Sequence, residues 1–142
     1  MHRKILVGLD GSPRQPLVLE HALAVAKAFG AKLHLCRAMT VPIDVPAMMW
    51  TVQGDDFATF LVDHGRKELG RLRDGLELGL VDGVHVQLGH PADVLCGVAQ
   101  EIGADLVVVG THGYGGIDRL LGTTAAKVAN RAPCSVLVVR GR

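Results

Sequence analysis

A chain of 142 residues, 49% hydrophobic and 20% charged, has the length and make-up of one soluble globular domain, expected to span residues 1–142. Its formal net charge of +1, with no run of Lys or Arg, excludes the basic face that nucleic acid demands and the polybasic patch of a membrane-surface protein. Only 4% of the residues are aromatic, so the core must be built mainly from Val, Leu, Ile and Ala.

The N-terminal stretch MHRKILVGLDGS is apolar over too few residues for a secretory signal or a membrane span. Cys36, Cys96 and Cys134 are far apart, with no Cys-x-x-Cys among them. That pattern favours reduced thiols in a cytoplasmic protein, packed as small hydrophobes.

The first apolar run is KILVGL (4–9), followed by a helical period through Val18, Ala22, Val25 and Phe29 that Gly30 closes. Pro13 and Pro16 place the start of this helix either just after Ser12 or at Pro16. KLHLCRA (32–38) is the second run. The stretch TVPIDVPAMMWTVQG (40–54) is the least regular: Pro42 and Pro46 interrupt any period, and Met48, Met49 and Trp50 read as apolar residues of a loop, whether flap, dimer contact or plug. Phe57, Leu61, His64, Leu69, Leu72, Leu76 and Leu80 then predict a long helix to about residue 80, with Asp55 and Asp56 at its solvated start. Gly65, Gly70, Gly75 and Gly79 fall inside it, each costing about 0.8–1 kcal/mol relative to alanine, so this helix must lean on tertiary packing.

VHVQL (84–88) is the third run. His90 and Asp93 in GHPAD then begin a helix with Pro91 in its first turn, carried on by Leu95, Val98, Ala99 and Ile102 and ended by Gly103. DLVVVG (105–110) leads into a glycine-rich loop, after which Val128 and Ala132 mark a last helix before SVLVV (135–139). The runs are almost continuously apolar, as strands covered on both faces are, and they alternate with helices. The pattern is that of an α/β doubly wound parallel sheet.

Doubly wound sheets bind ligands beyond the carboxyl ends of their strands, where strand order reverses. Three strand ends carry distinctive loops: LDGS (9–12), RAMT (37–40) and GTHGYGGIDRLLGT (110–123). In the last, Gly110, Gly113 and Gly122 can turn bare N–H groups toward an anion, and Thr123 and Thr124 add hydroxyls at a helix N-terminus. His112 and Arg119 can supply a donor or a counter-charge; a surface-loop His112 and a capping Thr123 explain the same residues without a ligand. Asp10 can accept from a ribose hydroxyl or an adenine amine, or close an Asx turn with Gly11 and Ser12. Two phosphate motifs fail. The Walker pattern meets Gly116 where lysine should follow Gly115, and GxGxxG from Gly113 meets Asp118 in place of glycine.

KILVGLDGS at the start, GHPADVL at 89–95, ADLVVVGTHGYGGIDRLLGT at 104–123 and RAPCSVLVV at 131–139 resemble the universal stress protein family, in the same order along the chain and least closely over 40–80. The resemblance implies a five-stranded parallel sheet sandwiched by four helices, Rossmann-like and akin to the adenine nucleotide alpha hydrolases. It also implies a homodimer through the last strand, 135–139, and, as in many members, bound ATP, with or without Mg. Nucleotide-binding members show G-x2-G-x9-G-[ST]; Gly110 and Gly113 keep the first spacing, whereas eight residues separate Gly113 from Gly122, a shorter spacing found in some members. Carried over by position, the resemblance gives Asp10 a nucleoside contact and has the backbone at Ala38 read the adenine edge. Val109 and Gly110 then flank the ribose, and His112, Gly113, Gly122, Thr123 and Thr124 line the phosphates.

Rapid ATP hydrolysis needs a positioned water, a metal and charge stabilisation, and no evident pair of metal-binding carboxylates stands in the sequence. What the resemblance implies is an ATP-binding stress-response protein, and these residues make it a nucleotide-dependent switch or binder with at most slow hydrolysis. A receiver-like phospho-switch would want paired acids after the first strand and a lysine after the last, and LDGS and SVLVVRGR supply neither. The alternative is a dimeric interaction protein of the same fold that does not bind ATP.

Overall fold

The apolar runs form parallel strands because a helix is available to cover each face. The computed structural model describes residues 2–40, 47–111 and 122–141, and of 47–56 the backbone alone. Its elements in chain order are β1 (Lys4–Gly8), α1 (Gln15–Phe29), β2 (Lys32–Met39), α2 (Ala47–Asp74), β3 (Val81–Leu88), α3 (Pro91–Ile102), β4 (Leu106–Gly110), α4 (Thr123–Arg131) and β5 (Ser135–Val139). Among the described residues the strands make one five-stranded, all-parallel sheet in the order β3-β2-β1-β4-β5, flanked by four helices. This is the doubly wound, Rossmann-like α/β fold expected from the sequence.

Strand alternation divides the core in two. Ile5, Val7, Leu33, Leu35, Leu106 and Val108 face α1 and α2, where Val18, Ala22, Ala26 and Leu69 meet them. Leu6, Cys36, Val107 and Val109 face α3 and α4, packing on Leu95, Val98, Ala99, Ala125 and Val128. Each fully buried Val or Leu contributes about 1.5–3 kcal/mol, so both layers hold the sheet from opposite sides. Gly30 (φ 64°) and Gly103 (φ 69°) end α1 and α3 in the left-handed conformation that their sequence positions imply. The helix α1 begins at Gln15, between the two starts that the prolines allow.

The chain moves outward from β1 to β2 and β3, then crosses back to β4 and β5 on the other side of β1. Strand order therefore reverses between β1 and β4, whose register is Ile5↔Leu106, Leu6↔Val107 and Val7↔Val108.

The region after β2 departs from the sequence expectation. The stretch 40–54 is not a loop throughout: α2 starts at Ala47, so the backbone at Met48, Met49 and Trp50 is helical, and Asp55 and Asp56 lie within α2 rather than at its start. Proline disfavours helix in the residue before it and not in those after, so a helix can start directly after Pro46 in the sequence. The side chains of these five residues lie outside the described residues. The same helix stops at Asp74, short of residue 80, leaving Gly75 and Gly79 outside it. Gly75 N–H closes turns onto Arg71 and Leu72 carbonyls, and Gly79 takes φ 83°, which no helix holds. Leu76 and Leu80 still pack on the core from the turn, which is why the apolar period outlasts the helix. At Gly65 a Cβ would lie 2.8 Å from Val86 Cγ1 and 3.0 Å from Met39 Sδ, so α2 sits close on β2 and β3. Finally, β3 begins at Val81 rather than at residue 84, with a register shift against β2 between Leu33 and His34.

Candidate functional site

Past Val7 and Val108 the two strands at the reversal point turn to different neighbours. Leu9 N–H donates to Cys36 O of β2 at 2.9 Å, and Thr111 N–H donates to Val139 O of β5 at 3.0 Å. A cleft opens where they part. It is lined by Gly8, Leu9 and Asp10 from β1 and its loop, Cys36 and Ala38 from β2, Leu95 from α3, Val109 and Gly110 from β4, and Thr124 from α4. Its empty space, open mouth included, is about 410 Å³.

The walls are apolar and the polar groups are few. A Cβ on Gly8 would lie 3.0 Å from Leu95 Cδ1 and 3.3 Å from Val109 Cγ1, so the cleft floor keeps its depth because residue 8 has no side chain. Burial pushes the Cys36 thiol up to about 12, leaving a neutral wall residue instead of a nucleophile. Burial also raises the thiols of Cys96 and Cys134, and all three cysteines are free, as their spacing suggests.

Asp10 closes the Asx turn and also lines the cleft. Its Oδ1 accepts from Ser12 N–H at 2.9 Å. Gly11 (φ 75°) supplies the left-handed step of that turn and donates its N–H to Gln15 Oε1 at 2.7 Å. Behind the turn, Arg14 Nη1 donates to Thr111 O at 2.5 Å, joining the loop after β1 to the end of β4. The buried hydroxyl of Thr111 is 3.4 Å from the same nitrogen.

On the opposite wall, α4 starts at Thr123 with Gly122 as its N-cap, extended at φ −62° and ψ 162°. Glycine has no side chain to cap the first turn, and the macrodipole leaves that end partly positive. The structure thus gathers Asp10, Ala38, Val109, Gly110 and Thr124 around one cleft. Gly122, buried, and Thr123, exposed, stand at the start of α4 without lining it. His112, Gly113 and Arg119 lie outside the described residues. Sequence reasoning missed Gly8, Leu9, Cys36 and Leu95. Of these only Gly8 carries a signal, since a glycine within a strand marks a close approach.

Among the described residues no group of three or more His, Cys, Asp or Glu could hold a metal ion. No helix among them is long and apolar enough to cross a membrane.

Known proteins share this sequence pattern and fold. The model of the Universal stress protein family matches residues 1–140. Universal stress protein A homolog 2 of Coxiella burnetii is 32% identical over 141 residues, covering 98% of this chain and 95% of the relative. Among solved structures, the universal stress protein UspA from Lactobacillus plantarum superposes with a TM-score of 0.78 at 20% identity, covering 98% of each chain, which speaks for the fold alone. A universal stress protein solved in complex with cAMP is 29% identical, with a TM-score of 0.64 and 99% of each chain covered. The chain belongs to the universal stress protein family.

Proposed function

We propose that the cleft is an adenine-nucleotide site and that the protein is an ATP-binding stress-response switch of the cytoplasm, with slow hydrolysis at most. One observation carries the reading: Asp10, Ala38, Val109, Gly110 and Thr124, drawn from separate stretches of the chain, line a single cleft at the point where the sheet reverses. The cAMP complex of the 29% identical relative supports the same ligand class.

In this reading the adenine lies among Gly8, Ala38, Leu95 and Val109, where flat apolar walls suit a purine. The carboxylate of Asp10 accepts from the ribose hydroxyls or the adenine amine, and Gly110 lets the ribose approach the backbone. The phosphates point to the start of α4, toward Gly122, Thr123 and Thr124, with His112 and Gly113 adding the loop's contribution. Hydrogen bonds to charged phosphate oxygens contribute about 1.5–3 kcal/mol each, so a few of them plus apolar burial reach the ~8 kcal/mol of micromolar binding. Any Mg would be held chiefly by the phosphates. Two copies pair through β5, whose apolar SVLVV lies at the sheet edge.

Mass spectrometry of gently purified protein, with calorimetric titration of ATP-Mg, AMP and cAMP, tests the proposal. Co-purified adenine nucleotide or micromolar affinity is the expected result. An empty protein that shows no thermal shift under millimolar ATP-Mg overturns it. That outcome would favour the second reading, a dimeric interaction protein without nucleotide, for which the eight-residue Gly113–Gly122 spacing speaks.

A further inference from the structure

We infer that Arg37 is the positioning residue for the nucleoside end of the cleft: its guanidinium, clamped by Glu68 of α2, is the surface against which the Asp10–Gly11–Ser12 turn rests. This rests on the adenine-nucleotide reading and adds to it what holds Asp10 in place.

Arg37 lies on β2 between Cys36 and Ala38, both of which line the cleft. Strand alternation therefore sends its side chain to the opposite face of the sheet, toward α2. There it is 17% exposed, and its Nη1 pairs with Glu68 Oε2. The other carboxylate oxygen, Glu68 Oε1, meets His64 Nε2 at 2.7 Å, one helical turn earlier. Toward β1 the same guanidinium meets the turn: a Cβ on Gly11 would lie 2.8 Å from Arg37 Nη2, 3.2 Å from Cζ and 3.3 Å from Nη1. The whole end of the side chain, rather than one atom, backs onto Gly11. The φ of 75° is what calls for glycine at residue 11, and the end of the Arg37 side chain fills the space beside it.

The chain of support runs from Glu68 to Arg37 to Gly11, and thence to the neighbouring Asp10, whose Oδ1 is already engaged by Ser12 N–H. Because Glu68 takes up its charge and it leaves the sheet on the far face, Arg37 acts through the turn and not on the ligand. Its loss should blur the nucleoside contact while leaving the phosphate end at α4 untouched.

The test uses Arg37→Met, which keeps an unbranched stem, and the double variant Arg37→Met/Glu68→Gln, which also removes the carboxylate left without its partner. In the ligand-free protein, exchange of the Gly11 and Ser12 amides should accelerate about tenfold or more in Arg37→Met, as local opening becomes easier. Affinities for adenosine and for ATP should fall together by about tenfold, the effect of one charge-assisted hydrogen bond, with their ratio unchanged. The double variant should regain thermal stability without regaining affinity. Unchanged amide exchange in Arg37→Met, a loss confined to ATP, or affinity that returns with stability in the double variant each overturns the inference. A wild-type protein that binds no adenosine or ATP overturns the nucleotide reading instead, while amide exchange still judges whether Arg37 holds the turn.

Discussion

At Gly8 a methyl group would press on two walls of the cleft, Leu95 and Val109. A Cβ there meets Leu95 and Val109 at contact distance or closer, so Gly8→Val should close the floor of the site. Expected is loss of measurable ATP binding in calorimetry, with a folded protein destabilised by about 1–3 kcal/mol in denaturant melts, the ordinary cost of overpacking. Asp10→Asn asks a different question. The amide oxygen can still accept from Ser12 N–H, so the Asx turn survives while the charge is lost. Adenosine affinity should fall by about tenfold or more in calorimetry, the value of a charge-assisted hydrogen bond, with the protein still folded. At this scale the sequence was legible wherever a residue type was unusual for its place. Asp10 at a strand end and the glycines with their following threonines announce a site. Leu9, Cys36 and Leu95 do not, because an apolar residue lining a cleft looks the same in sequence as one sealing a core.

Elements were legible where local chemistry decided them. Gly30 and Gly103 mark the ends of α1 and α3, and Pro91 the start of α3, because positive φ and a missing N–H are properties of single residues. The bounds of α2 and β3 depend on packing at a distance. Leu76 and Leu80 extend the apolar period past the end of α2, and Val81-Asp82-Gly83 reads as turn chemistry until β2 recruits it into the sheet. That recruitment makes room for an unusual pair. His34 Nδ1 and His85 Nε2 are 3.0 Å apart, their rings stacked at 5.3 Å, and a Cβ on Gly83 would lie 2.7 Å from the one nitrogen and 2.9 Å from the other. Burial lowers the pKa of both histidines. For His34 the charges of His85 and Lys4 lower it further and Asp82 opposes them; for His85 the opposing charge is Glu101. Both folded values thus lie below the ordinary imidazole value of about 6.5, and the unfolded chain binds more protons as pH falls through 6.5 toward them. The pair's contribution is complete above that pH and lost below it, since two imidazoliums can only donate and cannot share a hydrogen bond. The urea midpoint should therefore drop between pH 7.5 and pH 5.5, and drop less in a His34→Gln/His85→Gln variant.

The two edges of the sheet differ in a way that bears on assembly. The outer strand β3 carries a register shift at Leu33/His34, with Asp82 and Gly83 beside it, features that discourage a further strand. The opposite edge, β5, is the short apolar run Ser135–Val139, with Val136, Leu137 and Val138 half-buried within one copy. Under the proposed pairing through β5, Val136→Asp brings two new carboxylates together near the two-fold axis. The dimer dissociation constant should rise by about 100-fold or more, read as monomer mass in light scattering while circular dichroism retains its helical signal.

The ladder between β1 and β4 is the shortest in that half of the molecule: three residue pairs, against five between β1 and β2 and five between β4 and β5. Fewer ladder pairs therefore join the β3-β2-β1 block to the β4-β5 block than join the strands to either side of that joint. Under the proposed nucleotide reading, a ligand seated across the open end of that joint would act as a rivet, with Gly8 and Asp10 on one side and Val109 and Gly110 on the other. Occupancy should slow exchange of the Leu106, Val107 and Val108 amides, deep in the sheet and beyond the ligand's reach, and so make the two blocks melt as one.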